Sequence, residues 1–197
     1  WLADRLYAKR VDGRLIVGTA AIVICTPLMF LGLARPAGDI VGFALLMGLG
    51  VGVMFAYYST VYSTIHDVVE PSLRGTAMAL YFFAMYVLGA SMGPVGTGLV
   101  SDYFTFQKAS AAGAVAPMPF ADIMMAELRS LVGESKGFNL RALEPFRAAG
   151  LHDAMYIVPI LAGALAVVLF LASRTVKKDV QRLQTWMRNN AAVSKAS

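Results

Sequence analysis

Four stretches of this sequence, 15–34, 40–62, 77–100 and 154–172, each run for about 19–24 residues without one Asp, Glu, Lys, Arg or His. At about 1.5 Å rise per residue, about 20 helical residues match the roughly 30 Å hydrocarbon core of a bilayer. One charge at the centre of such a run costs about 2.5–3.5 kcal/mol on insertion scales, so four uncharged runs form a strong membrane signature. A soluble protein would need four helices apolar on every side and buried together, and a chain of 197 residues argues against that. A transmembrane β-barrel would alternate polar and apolar residues, whereas these runs are continuous. The sequence reads as an all-α integral membrane chain with four transmembrane helices.

Composition agrees and narrows the partners. Hydrophobic residues make up 58% and charged residues 15%, against about 45–50% and about 25% for an ordinary soluble domain. Disordered chains and ordinary secreted domains are excluded. The net charge of +5 resembles a nucleic-acid signal until it is mapped. The bases lie at the chain ends and between the apolar runs, so the expected partner is the lipid bilayer and no nucleic acid. The single cysteine, Cys25, excludes a disulfide framework and any multi-cysteine metal site. The first residue is Trp1 and no cleavable leader pattern follows, so the chain is expected to begin inside a longer protein.

The bases also give an orientation. Segment 1–14 carries Arg5, Lys9, Arg10 and Arg14, and the loop before the third run carries Arg74. The tail 173–197 carries Arg174, Lys177, Lys178, Arg182, Arg188 and Lys195, whereas the loop between the first two runs has only Arg35. The positive-inside rule therefore places both termini and the Arg74 loop in the cytoplasm. The segment 101–153 is then a long extracytoplasmic loop. Within it Phe120, Ile123, Met124, Leu128 and Leu131 share a helical face, with Glu127 interrupting, which predicts a partial interfacial helix bounded by Pro117, Pro119 and Pro145. In the tail, Val176, Val180, Leu183 and Met187 predict a short basic amphipathic helix on the inner leaflet.

The spans carry internal detail. Gly48 and Gly52 bracket Gly50 in the second, and Gly89, Gly93 and Pro94 follow one another in the third. Glycines at this spacing allow close helix packing, and Pro94 removes a backbone donor and bends or loosens its helix. Pro27 and Pro159 are further candidate kinks. Tyr57, Tyr58 and Ser59 form a polar block deep in the glycine-rich second span, with Tyr62 and Tyr81 nearer to span ends. Hydroxyls so placed either contact a small solute in a cavity or serve helix packing and the interface.

Catalysis finds no support. His66 and His152 fall on opposite sides of the membrane in this topology, and Cys25 lies in an apolar run as a small packing residue. No metal-binding spacing, nucleophile elbow or phosphate-cradling loop is present, so no enzyme, metal or cofactor is expected.

The charged loops are more specific. Leu2-Ala3-Asp4-Arg5 is followed by Lys9 and Arg10, and the run 71–102 reads P-x-x-R-G-T-A-x-A and then G-x-x-x-G-P-x-x-x-G-x-x-S-D. The first segment resembles the D-R-x-G-R-[KR] loop of the major facilitator superfamily, with Tyr7 and Ala8 where that motif has glycine and arginine. The second resembles the eleventh helix of that superfamily with its preceding loop, and the whole is most similar to the spinster-type carriers within it. The motifs cover residues 1–102, and beyond them only the order of spans is shared. The segment 101–153 is longer than the usual last outer loop.

The resemblance implies helices nine to twelve of a twelve-helix fold in a bacterial-type plasma membrane, completed by N-terminal helices of the same protein. It implies a secondary active or facilitative carrier that moves a small organic solute by alternating access. On that alignment Tyr57, Tyr58 and Ser59 face the substrate cavity, and Asp4, Arg5 and Arg74 form a cytoplasmic gating latch. Gly48, Gly52, Gly89, Gly93 and Pro94 serve packing and bending. A small four-span structural or accessory subunit is the alternative.

Overall fold

A computed structural model describes residues 2–10, 12–36, 38–131, 133 and 140–196. It is 89% helical, and no strand occurs among the described residues. Among the described residues eight α-helices follow in order: α1 Leu2–Lys9, α2 Gly13–Leu33, α3 Ile40–Val68, α4 Arg74–Ala84, α5 Met92–Ala111, α6 Phe120–Leu131, α7 Leu140–Met155 and α8 Ile157–Ala196. A 3₁₀ turn, Pro71–Leu73, leads into α4, and a π-helix, Met85–Ser91, joins α4 to α5. Four helical stretches among the described residues are long and apolar enough to cross a membrane: Gly13–Leu33, Ile40–Val68, Pro71–Ala111 and Ala142–Asn189.

The ends of these helices have local causes. Asp39 caps α3, its carboxylate accepting the Gly42 N–H at 2.9 Å. Pro71 opens the 3₁₀ turn, where its missing N–H costs nothing because that donor would have no partner anyway. Pro159 occupies the first turn of α8, so it starts that helix and does not kink it. The helix α2 continues through Pro27 and α7 through Pro145, so neither proline ends its helix. Pro94 has no N–H for the Ala90 carbonyl four residues before it and its ring crowds that oxygen. The backbone widens to π geometry immediately upstream, at Met85–Ser91.

The chain divides into two compact units. The first comprises Trp1–Phe83 and Pro159–Ser197. Its centre is a buried apolar cluster of Leu15 and Ile22 on α2 with Ala162, Ala166, Leu169, Val176 and Val180 on α8, flanked by Met54, Tyr57, Val61 and Val68 of α3. The tail is therefore not a separate helix: α8 runs unbroken from the last span to Ala196. Val176 and Val180, half of the stripe predicted to lie on lipid, are buried against protein.

The tightest helix contacts of this unit use glycines. A Cβ at Gly18 of α2 would overlap the Thr60 hydroxyl of α3, and one at Gly50 would stand 3.2 Å from Met29 Cγ. Gly48 and Gly52, the predicted packing pair, have nothing within 4 Å of a Cβ, and nor do Gly89 and Gly93. The close approach falls on Gly50 because only one face of α3 turns toward α2.

The second unit is Ala84–Val158. Here 101–153 is largely helical: α5 continues to Ala111, and α6 and α7 follow. Phe106, Ala109, Ile123 and Leu143 form its buried cluster. A Cβ at Gly150 of α7 would collide with Thr105 on α5, so this pair also depends on a glycine. Lys108 and Asp153 form an ion pair at 2.8 Å. The interfacial face predicted for α6 is divided: Ile123 is buried, whereas Phe120 and Met124 are exposed. The side chains of Leu128, Leu131 and Glu127 lie outside the described residues.

Candidate functional site: an aromatic and hydroxyl cluster beside an ionic helix clasp

The predicted block Tyr57–Ser59 sits in α3 within the first unit, half-buried at its two tyrosines. Tyr57 packs against the apolar cluster of α2 and α8. Its hydroxyl lies 3.4 Å from that of Tyr81 on α4, and either oxygen can donate. The rings form a connected set. Tyr57 meets Tyr58 edge-on at 5.3 Å, and Tyr58 meets Tyr62 at 5.9 Å. Tyr62 in turn meets Tyr81 and Phe82 edge-on, both at 5.5 Å. Edge-to-face pairs at these separations add about 0.5–1.5 kcal/mol each beyond burial. The result is an uncharged wall with phenol oxygens set in an aromatic surface.

Ser59 does not join it. Its hydroxyl donates to the Ala56 carbonyl at 3.0 Å and is spent on its own helix. Thr60, Ser63 and Thr64 bond back to α3 in the same way. This is the usual way a hydroxyl is satisfied inside an apolar helix. The second partner hydroxyl comes instead from Tyr81, 24 positions along the chain.

The charged groups of the predicted latch are placed as follows. The Asp4 side chain lies outside the described residues, and Arg5 is exposed on α1. Arg74 is half-buried at the start of α4, and its Nε donates to the Val69 carbonyl at the end of α3 at 3.4 Å. The ionic clasp that the structure describes uses other residues. Arg14, in the first turn of α2, pairs with Asp67, in the last turn of α3, at 2.5 Å. The Arg14 guanidinium also lies over the Tyr7 ring of α1, 4.1 Å from its centre. Burial raises the Tyr7 phenol above its ordinary range, and the neighbouring Asp67 carboxylate, which accepts its hydrogen bond, raises it further. Three helix ends thus meet at one point.

A second ionic group lies beside the first. Asp12, only 6% exposed, accepts from Arg10 at 3.1 Å and faces Lys177 of α8 at 3.4 Å. Burial alone would raise its carboxyl. The Arg10 hydrogen bond, a backbone N–H and the two cationic charges outweigh that and hold it below the usual carboxylate range. The sequence held a usable signal for this arrangement: opposite charges at the same-side ends of successive apolar runs.

The remaining singled-out residues have structural places. Cys25 is buried, its Sγ 3.7 Å from Met29 Sδ. His66 is exposed at the end of α3, and His152 stacks edge-on against Tyr156. Among the described residues no three of His, Cys, Asp or Glu gather as metal ligands.

The fold defines a class: among the described residues the structure is helical without strands, and four of its helical stretches are long and apolar enough to span a membrane. Comparison with protein-family models, with curated proteins and with solved structures finds no match.

Proposed function

We propose that this chain is the C-terminal part, helices nine to twelve, of a major-facilitator-type carrier moving a small organic solute across the plasma membrane by alternating access, with both termini cytoplasmic. One observation carries the reading: the Tyr57–Tyr81 hydroxyl pair, set among the rings of Tyr58, Tyr62 and Phe82 and joining two of the apolar helical stretches. A wall of this kind suits an aromatic or amphipathic solute, which it meets with stacking and neutral hydrogen bonds. The spans themselves call for further helices or lipid. The apolar windows of Ile40–Val68 and Pro71–Ala111 are 6% and 0% buried. Helices from the rest of a larger bundle supply the opposite wall of the cavity in this reading. The loosened π segment ahead of Pro94 is a natural place for a helix to bend during such a cycle.

The test is uptake of a panel of aromatic and amphipathic solutes by vesicles carrying the complete gene product. At least one solute should enter faster than into protein-free vesicles, and Tyr57→Phe and Tyr81→Phe should slow it about five- to tenfold, the worth of one neutral hydrogen bond. Uptake equal to that of empty vesicles across the panel would end the transport reading.

A further inference from the structure

We propose that a cleft between the first turns of α2 and the middle of α8 is a binding site for one anionic phospholipid. The cleft has a volume of about 560 Å³. Its rim is cationic: Arg10 comes from the connection before α2, and Arg174 and Lys177 come from α8. Its lower wall is apolar, built from Ile16, Val23 and Phe170, the last two 55% and 48% exposed. Residues 13 to 23 of α2 span about 15 Å of helix rise, long enough for the upper part of an acyl chain below a headgroup at the rim.

The charge balance favours an anion. Three cations face one carboxylate, Asp12, which already engages Arg10 and Lys177. Arg174 makes no hydrogen bond or ion pair among the described residues. Its guanidinium rests on the Phe170 ring, 4.6 Å from the ring centre. That contact fixes the plane of the guanidinium and leaves its N–H fork open, the geometry that suits a phosphate. The same ring belongs to the apolar wall, so one residue joins the headgroup end of the cleft to the acyl end.

The level of the cleft fits this occupant. The apolar run of α2 begins at Leu15 and that of α8 ends at Ala172, so the cations sit where the hydrocarbon gives way to headgroups. A free phosphate would use the rim and leave the exposed apolar wall unexplained. A phospholipid uses both, and basic pockets between spans at this level are suited to anionic headgroups. The inference needs the spans to cross a membrane and does not depend on transport.

The chain, purified in mild detergent and delipidated, is titrated with phosphatidylglycerol or phosphatidylcholine, and bound lipid is counted by native mass spectrometry. One phosphatidylglycerol should be retained in preference to phosphatidylcholine. Arg174→Gln should lower its occupancy about fivefold at equal lipid. Lys178→Gln with Arg182→Gln, which removes two bases of α8 outside the cleft, should leave the preference in place. Ala20→Phe, an exposed position on the cleft wall, should lower occupancy with every charge intact, and it decides the matter should Arg174→Gln fail to fold. Equal retention of the two lipids, or equal loss on removing the outlying bases, would overturn the proposal. So would full displacement of phosphatidylglycerol by millimolar inorganic phosphate, which would mark the rim as a site for the free anion.

Discussion

Arg14 and Asp67 meet at 2.5 Å across 53 residues of sequence, tying the first turn of α2 to the last turn of α3 with both side chains about one-fifth exposed. Between those ends the two helices are held by apolar contact and by glycine, neither of which fixes how far one helix slides along the other. A charge pair at one end does so, because sliding by a turn separates the charges by about 5.4 Å.

The first prediction concerns that pair. Asp67→Asn and Arg14→Gln should each lower stability by about 1–2 kcal/mol, between the values for exposed and for buried ion pairs. The double variant should lose less than the sum of the two. Unfolding in detergent, followed by circular dichroism, measures the cycle. Strict additivity would show that the two charges do not interact in solution.

Gly18 and Gly50 should tolerate substitution less well than Gly48 and Gly52. At Gly18 a Cβ overlaps Thr60, and at Gly50 it presses on Met29, whereas at the other two positions it enters open space. Gly18→Val is expected to cost about 1–3 kcal/mol through overpacking. Gly48→Ala and Gly52→Ala are expected to be neutral or to stabilise by up to about 1 kcal/mol through helix propensity. A larger loss at Gly48 than at Gly18 in the same unfolding assay would contradict the packing described.

Stability should fall in acid through Asp12. Its folded-state pKa lies below the ordinary carboxylate value because Arg10 and Lys177 hold the ionised form against the cost of burial. A depressed pKa means that the folded state binds the proton less readily than the unfolded chain. The contribution is therefore fully present above about pH 4, the unfolded value, and is lost as pH falls through the folded one. Melting temperature measured from pH 6 to pH 3 should drop less steeply in Asp12→Asn than in the parent chain. Parallel curves would remove Asp12 from the acid response.

Restoring a donor at Pro94 should close the π segment. In Pro94→Ala the Ala90 carbonyl regains a partner, and Met85–Ser91 is free to take ordinary α geometry. Hydrogen exchange of the amides from 86 to 93 should slow by tenfold or more, the equivalent of about 1.4 kcal/mol. Unchanged exchange would mean that the widening has a cause other than this proline.

Much of this architecture is legible one run at a time. A run of about 20 uncharged apolar residues has one low-cost arrangement in a bilayer, a helix that satisfies its own backbone, so the four spans follow from local sequence alone. Their ends were less legible. The apolar run of α8 stops at Ala172, but the helix continues to Ala196 because hydrophobicity marks where a span leaves lipid and not where a backbone stops coiling. In 101–153, too, helix continues beyond the uncharged runs, and its elements pair through Thr105, Phe106 and Gly150, which carry no span signal.

Everything that depends on which helix faces which was decided by tertiary structure. The spacing of Gly48 and Gly52 marked α3 as a packing helix, but the contact surface lies on Gly50, because the partner α2 approaches from that side. Tyr57 was legible as a polar group in a span, but its partner Tyr81 and the bond of the Ser59 hydroxyl back to Ala56 were not, since a hydroxyl is satisfied equally well by a neighbour or by its own helix. The sequence by itself determined how many times this chain can cross a membrane, because the cost of dehydrating a charge or a backbone amide is paid residue by residue. Only the tertiary structure decided that Arg14 holds Asp67, that Lys177 reaches Asp12, and that Arg174 lies open above an apolar cleft. Those pairings depend on distances between helices, which no local pattern of residues encodes.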